Sequence, residues 1–230
     1  MWSISEVKAK ARTAFKGNYW RCVLVGFILS LLTVGTSVSS TAGSGDDSDL
    51  MAKLQSLSQG DLQKVLIASS VAAVIISIIS VLLKVFVFNP LEVGGYNFFK
   101  KNIDDQTTTV GSSIGDGFKN YGHTFVTLFL RDLFIALWTM LFVIPGIIKT
   151  YSYCMVPFIL KDNPELSATE AITRSREMMN GNKWRAFLLD LSFIGWVLLG
   201  CITCGIVQFF WTTPYMYSTH AALYLELKNK

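Results

Sequence analysis

The sequence predicts an all-α protein: a polytopic membrane helix bundle of about six transmembrane helices in three hairpins, each preceded by a cytoplasmic amphipathic helix. Three observations predict it. Only 16% of the 230 residues are charged, 51% are hydrophobic, and the mean hydropathy is +0.44; a soluble domain carries about 25% charged residues. Several apolar runs approach the roughly 20 residues that a helix needs to cross about 30 Å of hydrocarbon. Lysine and arginine are also distributed very unevenly among the segments between those runs.

The first hairpin is read from two uncharged runs, residues 22–38, extended at the inner end by Tyr19 and Trp20, and residues 65–83. Some twenty mostly polar residues precede the first run and no small-residue cleavage site follows it, which argues against a removable signal peptide. The loop between the runs, residues 39–63, opens with Gly and Ser, carries Asp46, Asp47, Asp49 and Asp61, and is expected to be flexible and outside. In the second hairpin, residues 125–160 are apolar but interrupted by Arg131-Asp132, Ile144-Pro145-Gly146, Lys149 and Pro157. A span over 125–143, a turn at Pro145-Gly146 and a short arm over 147–160 follow; an arm that short must tilt or be re-entrant and shielded. Residues 191–225 contain no Asp, Glu, Lys or Arg. That is too long for one crossing, so the chain should fold back at Thr203-Cys204-Gly205, giving spans over 186–204 and 206–225.

Orientation follows from the cations flanking the spans. With the N-terminus inside, fifteen lie on inner segments, from Lys8 to Lys230, and three (Lys53, Lys64, Lys149) on outer ones. Both termini are therefore expected on the cytoplasmic side.

A self-match supports the hairpin count. Ser3-x-x-Glu6, Lys10, Arg12 and Gly17-Asn18-Tyr19-Trp20-Arg21 recur 164 positions later as Ser167-x-x-Glu170, Arg174, Arg176 and Gly181-Asn182-Lys183-Trp184-Arg185. Each copy opens with a capping box, continues with helix-spaced apolar residues, stops at Gly-Asn and enters a span through Trp-Arg, an interfacial anchor. A fainter third copy starts near Ser113, where Phe118-Lys119-Asn120-Tyr121 echoes the end of the first. The picture is one membrane domain, 1–230, in units of about 1–88, 89–160 and 161–230. Each unit has a basic amphipathic helix lying on the inner leaflet.

Residues 141–148 (LFVIPGII), the stretch from Asn163-Pro164-Glu165 to Gly181, Leu191-Ser192-Phe193-Ile194-Gly195-Trp196 and Pro214-Tyr215 together resemble the bacterial integral membrane proteins of domain of unknown function 975. That family is distantly similar to the membrane portion of some glycerophosphodiester phosphodiesterases, whose catalytic domain has no counterpart here. The resemblance implies a bacterial plasma-membrane location and carries no activity.

Candidate chemistry is sparse. Arg131, Asp132 and Asp190 fall inside apolar runs, where an ionisable group costs a few kcal/mol or more at mid-bilayer. Glu92, with Lys84, flanks Asn89-Pro90 near the inner face. Arg131 and Asp190 are expected to pair, either as a fastener between two helices or as part of a polar site for an ion, a headgroup or a proton. Lys8, Arg12, Lys16, Arg21, Arg174, Arg176, Lys183 and Arg185 are the expected contacts to anionic headgroups of the inner leaflet. Cys201-x-x-Cys204 lacks a thioredoxin-like setting and reads as packing. His123 and His220 are isolated, and none of the usual nucleophile-elbow, zinc-helix or phosphate-loop motifs occurs. No cofactor, metal or nucleic acid is expected; a protein partner or a homo-oligomer is left open. The expected function is a non-enzymatic one, handling a lipid, peptide or small solute or scaffolding such a system. The alternative is a membrane-embedded enzyme using the intramembrane carboxylates.

Overall fold

The computed structural model describes residues 2–35, 59–83, 88–203 and 205–229, and every regular element among them is a helix. In chain order these are α1 (Ile4–Gly17), α2 (Tyr19–Gly35), α3 (Gln59–Leu83), α4 (Asn89–Asp104), α5 (Val110–Gly117) and α6 (Tyr121–Leu141). They continue with α7 (Val143–Tyr153), α8 (Val156–Asp162), α9 (Ala168–Met178), α10 (Lys183–Leu191) and α11 (Ile194–Ile202), then a π-helical segment (Gln208–Thr212) running into α12 (Thr213–Lys228). Among the described residues three helical stretches are long and apolar enough to cross a membrane: Tyr121–Leu141, Val143–Asp162 and Lys183–Ile202. Tyr19–Ser30 and Ile67–Ile79 are shorter apolar stretches. The expected last span corresponds to the π segment and α12. Most of the expected outer loop, with Asp46, Asp47 and Asp49, lies outside the described residues, as do Lys84 and Cys204.

Local signals act as their chemistry requires. Ser3 Oγ accepts from the Glu6 amide at 3.2 Å while the Glu6 carboxylate accepts from the Ser3 amide at 3.1 Å. Ser167 and Glu170 make the same reciprocal pair at the start of α9. These hydrogen bonds to Ser3 and Ser167 hold the Glu6 and Glu170 carboxyls below their ordinary range. Gly181 and Gly205 take positive φ (74° and 87°), the conformation that ends α9's loop and reverses the chain before the π segment.

The second hairpin differs from expectation in two ways. Its corner is Phe142, with extended backbone, rather than Pro145-Gly146. Pro145 sits in the first turn of α7, where a missing N–H costs little. Gly146 instead lets the arms approach: a Cβ there would lie 2.3 Å from the Thr139 hydroxyl. The return arm is also longer than the fourteen residues expected, because α7 and α8 meet at a tight turn over Cys154 and Met155 to make one 20-residue stretch.

α4 and α12 form the centre. α12 packs against α1, α2 and α4, and α4 against α2, α5, α6 and α8. Phe15, Phe98, Phe99, Phe158, Tyr224 and Leu189 are fully buried there. The apolar faces of the capped helices are turned into this core: Val7, Ala11, Ala14 and Phe15 of α1, and Ala171 and Ile172 of α9, are buried. A helix lying on a leaflet with its apolar face in lipid is therefore not what α1 and α9 are; protein covers that face.

The segments read as inner come together at one end of the bundle. Trp2 Nε1 donates to Asn182 at 2.9 Å and its carbonyl accepts from Arg185 at 2.9 Å. Lys10 pairs with Glu226 at 2.8 Å, Arg21 donates to the Thr108 carbonyl at 3.2 Å, and Lys100 and Lys228 both pair with Asp162.

A polar chamber as the candidate functional site

Inside the bundle, α4, α6, α7, α10 and α12 enclose a cavity of about 490 Å³, within the size range of small-molecule sites. Its walls carry Glu92 and Tyr96 from α4, Arg131 and Asp132 from α6, Tyr151 from α7, Asp190 from α10 and His220 from α12. Ile135, Ile147, Met155 and Leu223 supply apolar surface between them. Glu92 and Tyr96 are one helical turn apart, so α4 presents both from one face.

The polar groups fall into two clusters. Arg131 is the hub of the first: Nη1 and Nη2 donate to the two Glu92 carboxylate oxygens at 2.9 and 3.3 Å, and Nε donates to Asp132 at 2.9 Å. The fork geometry is the one arginine offers to a carboxylate. Only 11% of the Arg131 side chain is exposed, so these bonds are what make an interior guanidinium tolerable. Asp190 is the hub of the second cluster. Its two oxygens bond His220 Nε2 at 2.7 Å and the Tyr151 hydroxyl at 3.0 Å. Two helices besides its own therefore converge on it.

All four sequence candidates, Glu92, Arg131, Asp132 and Asp190, stand on the walls of this one chamber. The expected Arg131–Asp190 pair is not formed; Arg131 is taken by Glu92 and Asp132, and Asp190 by His220 and Tyr151. The reason is register: with Asp190 turned toward α7 and α12, the carboxylates within reach of Arg131 are its chain neighbour Asp132 and the first turn of α4. Sequence reasoning set His220 aside as a lone histidine and missed Tyr151 and Tyr96. A signal existed, since His220 and Asp190 are the ionisable groups of the last apolar stretch, and two such groups in one hairpin are natural partners. Among the described residues no group of three His, Cys, Asp or Glu could hold a metal ion, and the free thiols are Cys22, Cys154 and Cys201.

The eight basic residues expected at headgroups are divided. Arg12, Lys16, Arg21, Arg174 and Arg176 are exposed, and Lys8, Lys183 and Arg185 are half-buried. Lys8 lies 4.1 Å above the Phe193 ring, and Arg21 and Arg185 donate to the backbone contacts described above.

The molecule is thus an α-helical protein with apolar helices of membrane-crossing length, built around a polar chamber. Residues 140–230 match the family described as "Protein of unknown function (DUF975)", the family that the sequence resembles. The matched part contains Tyr151, Asp190 and His220 but not Glu92, Arg131 or Asp132. No curated protein and no solved structure matches the chain.

Proposed function

We propose that this chain is a six-span integral membrane protein of the bacterial plasma membrane, termini inside, that binds a positively charged lipid, peptide or small solute in the chamber. The observation that carries the reading is the charge of the chamber wall. One guanidinium faces three carboxylates, Glu92, Asp132 and Asp190, so the wall is net negative whether or not His220 is protonated. In a low-dielectric setting such an excess favours a cationic guest.

Six spans are supported by the convergence of the inner segments. Residues 2–21, 100–119, 161–185 and 226–228 touch one another, as they would if each intervening stretch left and returned to the same end. Trp20 and Trp184, equivalent in the 164-residue repeat, are among the most exposed large side chains, 73% and 68%, as interfacial anchors would be. A matching test uses single cysteines at Ser48 and Lys230 in a cysteine-free protein. An impermeant thiol reagent should label only the first in intact cells; labelling of both would mean an odd number of spans.

Cys154 lines the chamber and offers a direct probe of its charge. With Cys22, Cys201 and Cys204 replaced by Ser, a cationic methanethiosulfonate should modify Cys154 faster than an anionic one of similar size. Asp190→Asn with Glu92→Gln should narrow the gap. Equal rates in the unaltered chamber would sink the proposal. The enzyme alternative draws on one observation, the His220–Asp190 bond, which orients an imidazole as a carboxylate orients a general base. Under that alternative His220→Gln would abolish cellular function while leaving the cation preference at Cys154 intact.

A further inference from the structure

At the end of the bundle where the inner segments meet, a second cavity of about 400 Å³ opens between α4, α5, α8 and the start of α6. We propose that it binds a phosphate group, and the argument is independent of what occupies the chamber. Four lysines, Lys100, Lys101, Lys119 and Lys161, line the cavity beside two carboxylates, Asp116 and Asp162. Lys101 and Lys119 both reach Asp116, at 2.8 and 2.7 Å. Lys100 and Lys228 both reach Asp162, the latter at 2.6 Å. Lys161 has no carboxylate and donates to the carbonyl of Asp116. Four ammonium groups against two carboxylates leave two positive charges in excess in the lining, and Lys228 adds a third from outside it. Lys100 is itself buried, with 11% of its side chain exposed, so water relieves little of the repulsion felt at that ammonium.

One further feature points the same way. His123 lines the cavity and its Nε2 is buried without a hydrogen-bond partner, a donor or acceptor still to be satisfied. Ammonium groups are donors that phosphate oxygens take. The ligand is thus a phosphate monoester or diester group. It has two sources: the headgroup of an anionic phospholipid of the inner leaflet, or a soluble phosphate compound.

The test uses the full chain in dodecyl maltoside and phosphate-free buffer, with inorganic phosphate and dioctanoyl phosphatidic acid as probes. Thermal shift and equilibrium dialysis of radiolabelled phosphate are the readouts, and dioctanoyl phosphatidylcholine is the control. We expect saturable, salt-sensitive binding that Lys119→Gln weakens about tenfold, the effect of one charge-assisted hydrogen bond. That side chain is 77% exposed, so the variant should fold. Asp116→Asn, which frees Lys101 and Lys119 for the ligand, should instead tighten binding severalfold. Stabilisation by phosphatidic acid that inorganic phosphate neither reproduces nor displaces assigns the site to a lipid headgroup; a comparable response to inorganic phosphate assigns it to a soluble phosphate. Absence of saturable binding by both probes, or binding unchanged in both variants, overturns the proposal.

Discussion

α3 and α4 follow one another along the chain and are built from opposite materials. From Ile67 to Ile79, α3 contains only Ile, Val, Ala and Ser, and all of these side chains are exposed. α4 carries Asn89, Glu92, Asn97, Lys100, Lys101, Asn102 and Asp104 in sixteen residues. Yet Asn89, Asn97, Lys100 and Asn102 are all buried. In water this arrangement is inverted, because apolar burial is the main driving force for folding. In lipid it is the expected one: the hydrocarbon is as apolar as isoleucine, so α3 gains nothing by burial, while polar groups must find partners inside the protein. α4 shows those partners. Asn102 donates to the Ala14 carbonyl at 3.0 Å, Lys100 meets Asp162, and Glu92 meets Arg131. The two helices together say more about the solvent than either says alone.

The comparison breaks most visibly at Arg131. If the polar groups on α4 are held by their partners, Arg131→Ala leaves Glu92 and Asp132 uncompensated and should cost about 3–5 kcal/mol. That loss would be read as a large drop in Tm in detergent. Arg131→Met combined with Glu92→Leu should recover part of it, whereas Arg131→Ala combined with Asp190→Ala should be close to additive, because those side chains do not pair. Strong coupling between Arg131 and Asp190 would contradict the observed geometry.

The lipid side of the comparison is tested on α3. Ile75→Lys should disfavour insertion by about 2.5–3.5 kcal/mol if the residue lies near mid-bilayer, measurable as loss of membrane-integrated protein on expression. Ile75→Leu is the control and should be neutral. A lysine tolerated as well as the leucine would mean that α3 faces water or a partner, since exposed substitutions in water fall within about 0.5 kcal/mol.

Packing between α4 and α5 gives a smaller effect. A Cβ on Gly117 would come within 2.1 Å of the Pro90 carbonyl oxygen and 2.8 Å of the Gly94 nitrogen, whereas one on Gly195 meets nothing within 4 Å. Small residues at such crossings let helices approach in membranes. Gly117→Ala should therefore cost about 1–3 kcal/mol and Gly195→Ala almost nothing. Comparable Tm values for the two variants would show that α4 and α5 can separate freely.

How much of this was legible follows from how local each signal is. The capping boxes at Ser3 and Ser167 rest on residues a few positions apart, and they stand where the sequence predicts them. The hairpin corner was missed by three residues, because Pro145 marks a helix start as readily as a turn. The candidate residues of the chamber were found by their cost: Arg131, Asp132 and Asp190 are charges in apolar runs. Their pairing was not, because which carboxylate an arginine reaches depends on helix rotation and register across 39 residues of chain. The burial of the apolar faces of α1 and α9 was illegible for a related reason. An amphipathic pattern says that one face avoids water, and lipid or protein satisfies it equally well.

The smallest effect is expected at Asp116, where polar partners meet outside the apolar stretches. Hydrogen bonds from Lys101 and then Lys119 hold its carboxyl at about 2, below the ordinary 3.8. Both lysine side chains are largely exposed, 44% and 77%, so solvent screens the pairs and each contributes at most about 1 kcal/mol. A depressed carboxyl pKa contributes stability that is complete above the unfolded value, near 4, and disappears as pH falls through the folded value, near 2. In phosphate-free buffer the Tm difference between the wild-type protein and Asp116→Asn should therefore be small and constant from pH 7 to 5. It should then shrink between about pH 4 and pH 2, and 0.5 M NaCl should reduce it throughout. A difference that changes above pH 5 would rule out the carboxylate as its source. A salt-insensitive difference of several kcal/mol would mean that solvent does not screen the Asp116 pairs, despite the exposure of Lys101 and Lys119.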